Sequence, residues 1–86
     1  MTPEDIEREL IAFLVDELGL NHDSVSESTT LFTSGVLSSI ELIQLMATID
    51  QKYGVLIEFG NMSVDVVDTV AKLARYIAKQ IEVTKS

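Results

Sequence analysis

The apolar residues near the start of the chain recur at helical spacing. They lie three or four positions apart, which places them on one face of an α-helix, and the charged residues between them fall largely off that face. Thr2 supplies a capping hydroxyl and Pro3 suits a first helical turn. We therefore predict a first helix that runs to about Leu18, is ended by Gly19 and presents the apolar residues Ile6, Leu10, Phe13, Leu14 and Leu18.

Residues 19–37 show neither helical nor strand periodicity, and positions 24–30 are rich in serine and threonine. A loop of this length inside a compact domain needs an anchor. Leu31 and Phe32 are the apolar pair that we expect to pack onto the core, and the turn residues at 33–35 lead the chain into the next helix.

The second helix has the clearest start signal in the chain. Ser38 and Glu41 have the spacing of a capping box, so Ser38 is the predicted cap and Ser39 falls in the first turn. Gly54 should end this helix after Tyr53.

This helix has more apolar residues than one face can bury. Leu42, Leu45, Met46 and Ile49 suit the core, whereas Ile40, Ile43 and Ala47 form a second strip. An apolar strip outside the core suggests an interface with another protein.

The remaining segments predict one short helix and one long helix. Residues 55–57 are interpreted as an extended link docked on the core, because no second β segment exists to pair with them. Residues 61–67 suit a helix of one to two turns, capped by Asn61 or Ser63. Asp68 is the predicted cap of the last helix, whose apolar positions are Val70, Leu73, Ala74, Ile77 and Ile81.

The predicted fold class is all-α: a four-helix bundle with a long loop between helices 1 and 2 and a short third helix. We expect a single domain over residues 1–86, with a folded core at about 3–82. The 86 residues are 47% hydrophobic and 23% charged, which is typical of a soluble globular protein. The chain has no cysteine, no apolar run near the roughly 20 residues of a membrane span and no basic leader, so we expect a cytoplasmic protein without disulfides.

The net charge of −8 argues against binding to nucleic acid or to an anionic membrane. The charge is also uneven, because residues 1–68 have a balance of −11 and residues 69–86 a balance of +3. A partner steered by charge should therefore be basic and should meet the first two thirds of the chain.

Catalytic and metal-binding patterns are absent from the sequence. His22 is the single histidine and lies in a polar loop, where we interpret it as a surface residue. The fourteen acidic residues do not form a calcium-loop motif, and no glycine-rich phosphate loop is present. We expect neither an enzyme nor a metal site.

Ser39 is the strongest candidate for a covalently modified residue. The free N–H groups and the positive dipole end of a helix start favour an anion, so a phosphate ester on Ser39 would be stabilised there. The alternative from the local pattern is that Ser39 is a second polar residue beside the cap.

Residues 35–46, GVLSSIELIQLM, resemble the segment of acyl, aminoacyl and peptidyl carrier proteins in which Asp-Ser-Leu or Asp-Ser-Ile opens the second helix. The likeness spans nearly the whole chain and includes residues 30–32 in the loop and 68–70 before the last helix. Ser39 takes the position of the serine that carries 4'-phosphopantetheine in this family. The resemblance implies a covalent arm on Ser39 whose thiol holds an acyl or aminoacyl group as a thioester, in a protein that is a substrate and not a catalyst.

The sequence departs from the family pattern in two places, and these differences bear on which class of carrier protein it resembles. Ser38 stands where the family usually has aspartate, and the second helix is less acidic than that of fatty-acid carriers. The better likeness is to free-standing carriers of specialised pathways, in polyketide, nonribosomal peptide or aminoacyl transfer.

The resemblance also implies the partners of a monomeric carrier: a phosphopantetheinyl transferase, an acyl- or aminoacyl-loading enzyme, and a downstream transferase or synthase. The residues expected to meet them are Ile40, Ile43, Gln44, Ala47 and Asp50. An unmodified helical adaptor with the same fold is the alternative that Ser38 keeps open, and an acidic metal buffer ranks last because it lacks ligand spacing.

Overall fold

The computed structural model describes residues 1–85, except for the side chains of Asn61, Thr84 and Lys85. It contains three α-helices within that range: α1 (Pro3–Asp16), α2 (Ser39–Tyr53) and α3 (Val70–Lys85). Three turns of 3-10 helix lie in the connections, at His22–Ser24, Phe59–Asn61 and Val64–Val66. The described residues form no strand, and their one β-bridge joins Thr30 to Thr69. The predicted all-α class is confirmed.

Helix α1 begins where the sequence predicted. The Thr2 hydroxyl accepts from the Asp5 N–H at 3.2 Å, and the Asp5 carboxylate accepts from the Thr2 N–H at 3.2 Å. The regular helix ends at Asp16, slightly earlier than predicted, and Gly19 then reverses the chain with a φ of 75°.

The core lies between α1 and α3, which pack along each other, and is completed by α2 and the connections. The buried apolar residues are Ile6, Leu10 and Leu14 of α1; Val25, Leu31 and Leu37 of the loop; Leu45 and Ile49 of α2; Val55, Ile57 and Val67; and Val70, Leu73, Ala74 and Ile77 of α3. The predicted anchor Leu31 is fully buried, and Phe32 beside it packs edge-to-face on Phe59 with ring centroids 5.3 Å apart. Residues 55–57 form neither helix nor strand, and the buried Val55 and Ile57 confirm that this predicted link is docked on the core.

The predicted four-helix count is not confirmed, because the described residues contain three α-helices and the predicted short third helix over residues 61–67 does not form as one helix. Two separate 3-10 turns take its place, and Met62 between them is extended, with φ −152° and ψ 159°. The Ser63 hydroxyl starts the second turn by accepting from the Asp65 N–H at 3.3 Å. A segment this short and rich in valine gains too few hydrogen bonds to offset helix nucleation. The side chain of Asn61, the other predicted cap, lies outside the described residues.

The predicted cap of the last helix is also wrong by one residue. Thr69, not Asp68, caps α3, and its hydroxyl accepts from the Lys72 N–H at 3.1 Å. The Asp68 side chain is buried and turns instead toward the loop before α2, where it accepts from the Phe32 N–H at 2.9 Å and the Thr33 N–H at 3.2 Å.

Candidate functional site

The start of α2 holds two adjacent serines with different roles. Ser38 is the cap, as predicted: its hydroxyl accepts from the Glu41 N–H at 3.2 Å, and the Glu41 carboxylate accepts from the Ser38 N–H at 2.8 Å. The Ser38 hydroxyl is therefore engaged in the helix, and this reciprocal pair fixes where α2 begins.

Ser39 is the first residue of α2 and is exposed. Its side chain forms no hydrogen bond with any described residue, in contrast to the Ser38 side chain. An exposed hydroxyl at a helix start, beside unsatisfied backbone N–H groups and the positive dipole end, is accessible to an enzyme and suits a phosphate ester.

The loop before α2 is held in place on both sides of its turn. Leu37, directly before the cap, is 4% exposed, and Leu31 is buried at the other end. Gly35 between them has a φ of 77°, a conformation that residues with a Cβ rarely adopt. These contacts hold the backbone directly before Ser38 and Ser39 in a defined position.

Asp68 anchors this loop through several hydrogen bonds. Burial by itself raises the pKa of the Asp68 carboxyl, but hydrogen bonds from the Thr33 hydroxyl and from the backbone N–H groups of residues 31–33 outweigh it and hold the pKa below its usual value. The ionised carboxylate therefore ties residues 31–33 to the start of α3.

The sequence on either side of Ser39 carries little charge. Between Glu27 and Asp50 the only charged residue is Glu41, and its carboxylate is already bonded to the Ser38 N–H.

Ile40 is 70% exposed and Ile43 is 62% exposed, while the core-facing Leu45 is fully buried. The predicted rotation of α2 is confirmed.

The structure brings all five residues of the predicted partner surface to the outside of α2. Gln44, Ala47 and Asp50 are exposed in addition to Ile40 and Ile43. We call these five residues the α2 strip. Leu56, which the sequence analysis placed only in a core-docked link, is 64% exposed between the buried Val55 and Ile57. The period of two in an extended segment was the signal that Leu56 points outward.

His22 is exposed, and its Nδ1 lies 3.8 Å from an oxygen of the neighbouring Asp23. The described residues contain no group of three or more His, Cys, Asp or Glu that could hold a metal ion. No described helix is long and apolar enough to cross a membrane.

A serine exposed at the start of the second helix of a small helical domain is the arrangement that the resemblance to carrier proteins implies. The family model for the phosphopantetheine attachment site matches residues 8–77, and the chain belongs to this family of carrier domains. No curated protein matches the chain. The family carries covalently attached 4'-phosphopantetheine, and the exposed, unbonded Ser39 hydroxyl fits an ester link to such a group.

Proposed function

We propose that this protein holds an activated acyl or aminoacyl group as a thioester on a 4'-phosphopantetheine arm attached to Ser39. The supporting observation is that two adjacent serines within the matched residues differ in their hydrogen bonding. The Ser38 hydroxyl is bonded in the capping box, whereas the Ser39 hydroxyl is exposed and unbonded. When bound, the arm supplies the thiol that the cysteine-free sequence lacks.

The chain's own residues position and stabilise the attachment point. On attachment the Ser39 Oγ would form the new P–O ester bond while the phosphoanhydride bond of the arm's donor breaks. The rest of the donor would leave as a phosphate, and the hydroxyl proton would pass to the transferase or to water. The free N–H groups at the start of α2 would stabilise the phosphate, and the helix dipole would favour its negative charge by about 0.3 to 1 kcal/mol. We propose that residues 1–86 work as one monomeric carrier domain in the cytoplasm, and that the domain itself catalyses no reaction.

Intact mass after co-expression with a broad-specificity phosphopantetheinyl transferase tests the proposal. The wild-type chain should gain the mass of one arm, and proteolytic fragments should place it on Ser39. A chain that folds but stays unmodified with several transferases would instead support the unmodified adaptor.

We further propose that the α2 strip is where the transferase, the loading enzyme and the downstream enzyme contact the carrier in turn. Two large side chains, Ile40 and Ile43, are mostly exposed there although Leu45 and Ile49 of the same helix are fully buried. Burying such apolar area contributes roughly 25 cal/mol per Å² of contact. A contact of limited area allows each enzyme to release the carrier after its step.

The cargo that we propose is small or polar and comes from a dedicated loading enzyme of a specialised pathway. The support is the charge of α2, which contains Glu41, Asp50 and Lys52 as its charged residues and so lacks a dense acidic face. Opposite charges chiefly raise encounter rates and exclude wrong partners. Elongation of the modified protein by fatty-acid synthase enzymes at the rate of their own carrier would contradict this proposal.

A further inference from the structure

The outer face of α3 carries a row of cations that the fold does not use. Lys72, Arg75 and Lys79 are exposed and spaced by three and four residues, so they follow one side of the helix over about 10 Å. Arg8 and Lys52 each lie beside a carboxylate, whereas the three cations of the row form no ion pair with any described residue. The row is available to an outside anion.

A groove of about 490 Å³ runs between this row and the turn Val64–Val66. Val66, which is 47% exposed, and the half-buried Tyr76 give it an apolar floor. All three cations of the row line the groove, and Asp65 is the one acidic residue among its lining. The groove therefore combines an excess of positive charge with an apolar contact surface.

The groove is separate from the candidate attachment site. Its described lining residues come from α3 and the turn at residues 64–66, and none comes from α2. A second groove of about 520 Å³ shares Arg75 and Lys79 but continues toward Met1 and Glu82, again without a described α2 residue. None of the five residues of the α2 strip lines either groove.

Charge decides what kind of anion the groove fits. Residues 1–68 have a balance of −11, so a long polyanion that extends beyond the row would meet a repulsive surface. Screening limits such interactions to about 8 Å at physiological salt, which is close to the length of the row. A short acidic segment can therefore gain from the row without reaching the acidic remainder, and an apolar side chain within it would cover Val66 and Tyr76.

We propose that this groove binds a short acidic segment of a partner protein, whose carboxylates pair with Lys72, Arg75 and Lys79. The carrier then has two independent docking faces, one on α2 for the enzymes that use Ser39 and one on α3 for a partner that retains the domain meanwhile. This role goes beyond the carrier function and does not depend on the arm.

The test is a titration of the ¹⁵N-labelled Ser39→Ala chain with a short peptide of aspartate, glutamate and leucine, followed by NMR chemical shifts. The control peptide replaces each acid by its amide. We expect shifts at residues 64–66 and 72–80 with the acidic peptide, weakened by added salt, and no comparable shifts on α2. Ser39→Ala removes the attachment point, so the result is independent of whether Ser39 is modified.

Matched variants identify the side chains responsible. The triple variant Lys72→Gln, Arg75→Gln and Lys79→Gln should weaken the peptide Kd about tenfold, because three exposed ion pairs, each of modest strength, are lost together. Arg8→Gln with Lys52→Gln removes two cations elsewhere and should leave the Kd nearly unchanged. Equal binding of the amide peptide, shifts centred on α2, or tighter binding of a DNA oligonucleotide or an anionic lipid vesicle through the same cations would overturn the proposal.

Discussion

The Asp68 carboxylate accepts a hydrogen bond from the backbone N–H of Phe32 at 2.9 Å, although the two residues lie 36 positions apart. The Leu31 N–H donates to the Asp68 carbonyl at 2.6 Å, so the side chain and the backbone of one residue hold the same loop segment. This segment ends shortly before Ser38. The start of α3 therefore helps to position the start of α2, which carries the proposed attachment residue.

Ser39→Ala and Ser38→Ala should separate attachment from capping. Ser39→Ala is expected to abolish arm attachment while the fold survives, because its hydroxyl supports no hydrogen bond of the fold. Ser38→Ala should still be modified but should lose about 1 kcal/mol of unfolding free energy with its cap. Intact mass and urea unfolding measure the two effects, and an arm found on Ser38 would show that the register is wrong.

Ile43→Asp and Leu45→Ala should separate docking from packing. Ile43 is 62% exposed, so a charge there is expected to slow arm attachment and loading while the free energy of unfolding changes little. Leu45 is fully buried, and its truncation should cost roughly 2 to 5 kcal/mol. Transfer rates and urea unfolding of both variants provide the comparison. Equal losses of stability would contradict the orientation of α2.

Asp68 should make stability fall at acid pH. Its pKa is lower in the folded protein than the ordinary value of 3.8, so folding favours the ionised carboxylate. This contribution is fully present above the unfolded pKa and is lost as the pH falls below about 4 and through the folded value.

Asp68→Asn should remove that contribution. We expect a loss of about 1.5 to 3 kcal/mol at pH 7, the range for hydrogen bonds to a charged group, and a smaller further loss between pH 5 and pH 3 than in the wild type. Urea unfolding across this range measures both. Asp50→Asn on the exposed face of α2 is the control. If the Asp68→Asn protein lost as much unfolding free energy between pH 5 and pH 3 as the wild type does, this stabilising role of Asp68 would be refuted.

Tyr53 should make the free energy of unfolding fall at alkaline pH. Burial, together with the hydrogen bond from the Tyr53 hydroxyl to the Glu9 carboxylate, raises the pKa of Tyr53 above its ordinary value of 10.0. Folding therefore favours the neutral phenol, and this stabilisation is present below about pH 10 and is lost as the pH rises through the folded value. The difference in unfolding free energy between wild type and Tyr53→Phe should shrink above pH 10, whereas Tyr76→Phe serves as the control. A constant difference from pH 8 to pH 11 would argue against this.

Gly54→Ala should weaken the end of α2. Gly54 closes the helix in the left-handed region with a φ of 69°, and an added Cβ meets no atom within 4 Å. The expected cost is therefore conformational strain of about 1 to 2 kcal/mol, and not a clash. Gly60→Ala, also in open space but without a positive φ, should cost less in the same thermal unfolding measurement.

The local signals in the sequence determined most of the secondary structure and of the candidate site. The capping box of Ser38 and Glu41 predicted the start of α2 within one residue, because both bonds join positions three apart and need no other part of the fold. Helical spacing likewise predicted that Leu45 is buried and Ile43 exposed, since the period of the helix sets which side chains share a face.

The hydrogen bonding of Asp68 and the conformation of residues 59–66 depend on tertiary contacts and could not be predicted from the sequence. In sequence, Asp68 is the predicted cap of α3, and aspartate is preferred over threonine at an N-cap. Thr69 caps α3 instead because loop N–H groups more than thirty positions away bind the Asp68 carboxylate. The row of Lys72, Arg75 and Lys79 was visible as a positive balance, but its groove exists only because the turn Val64–Val66 lies beside α3. Local bonds can be inferred from residues that are neighbours in the chain, whereas a buried charge and a groove depend on which distant segments the core brings together.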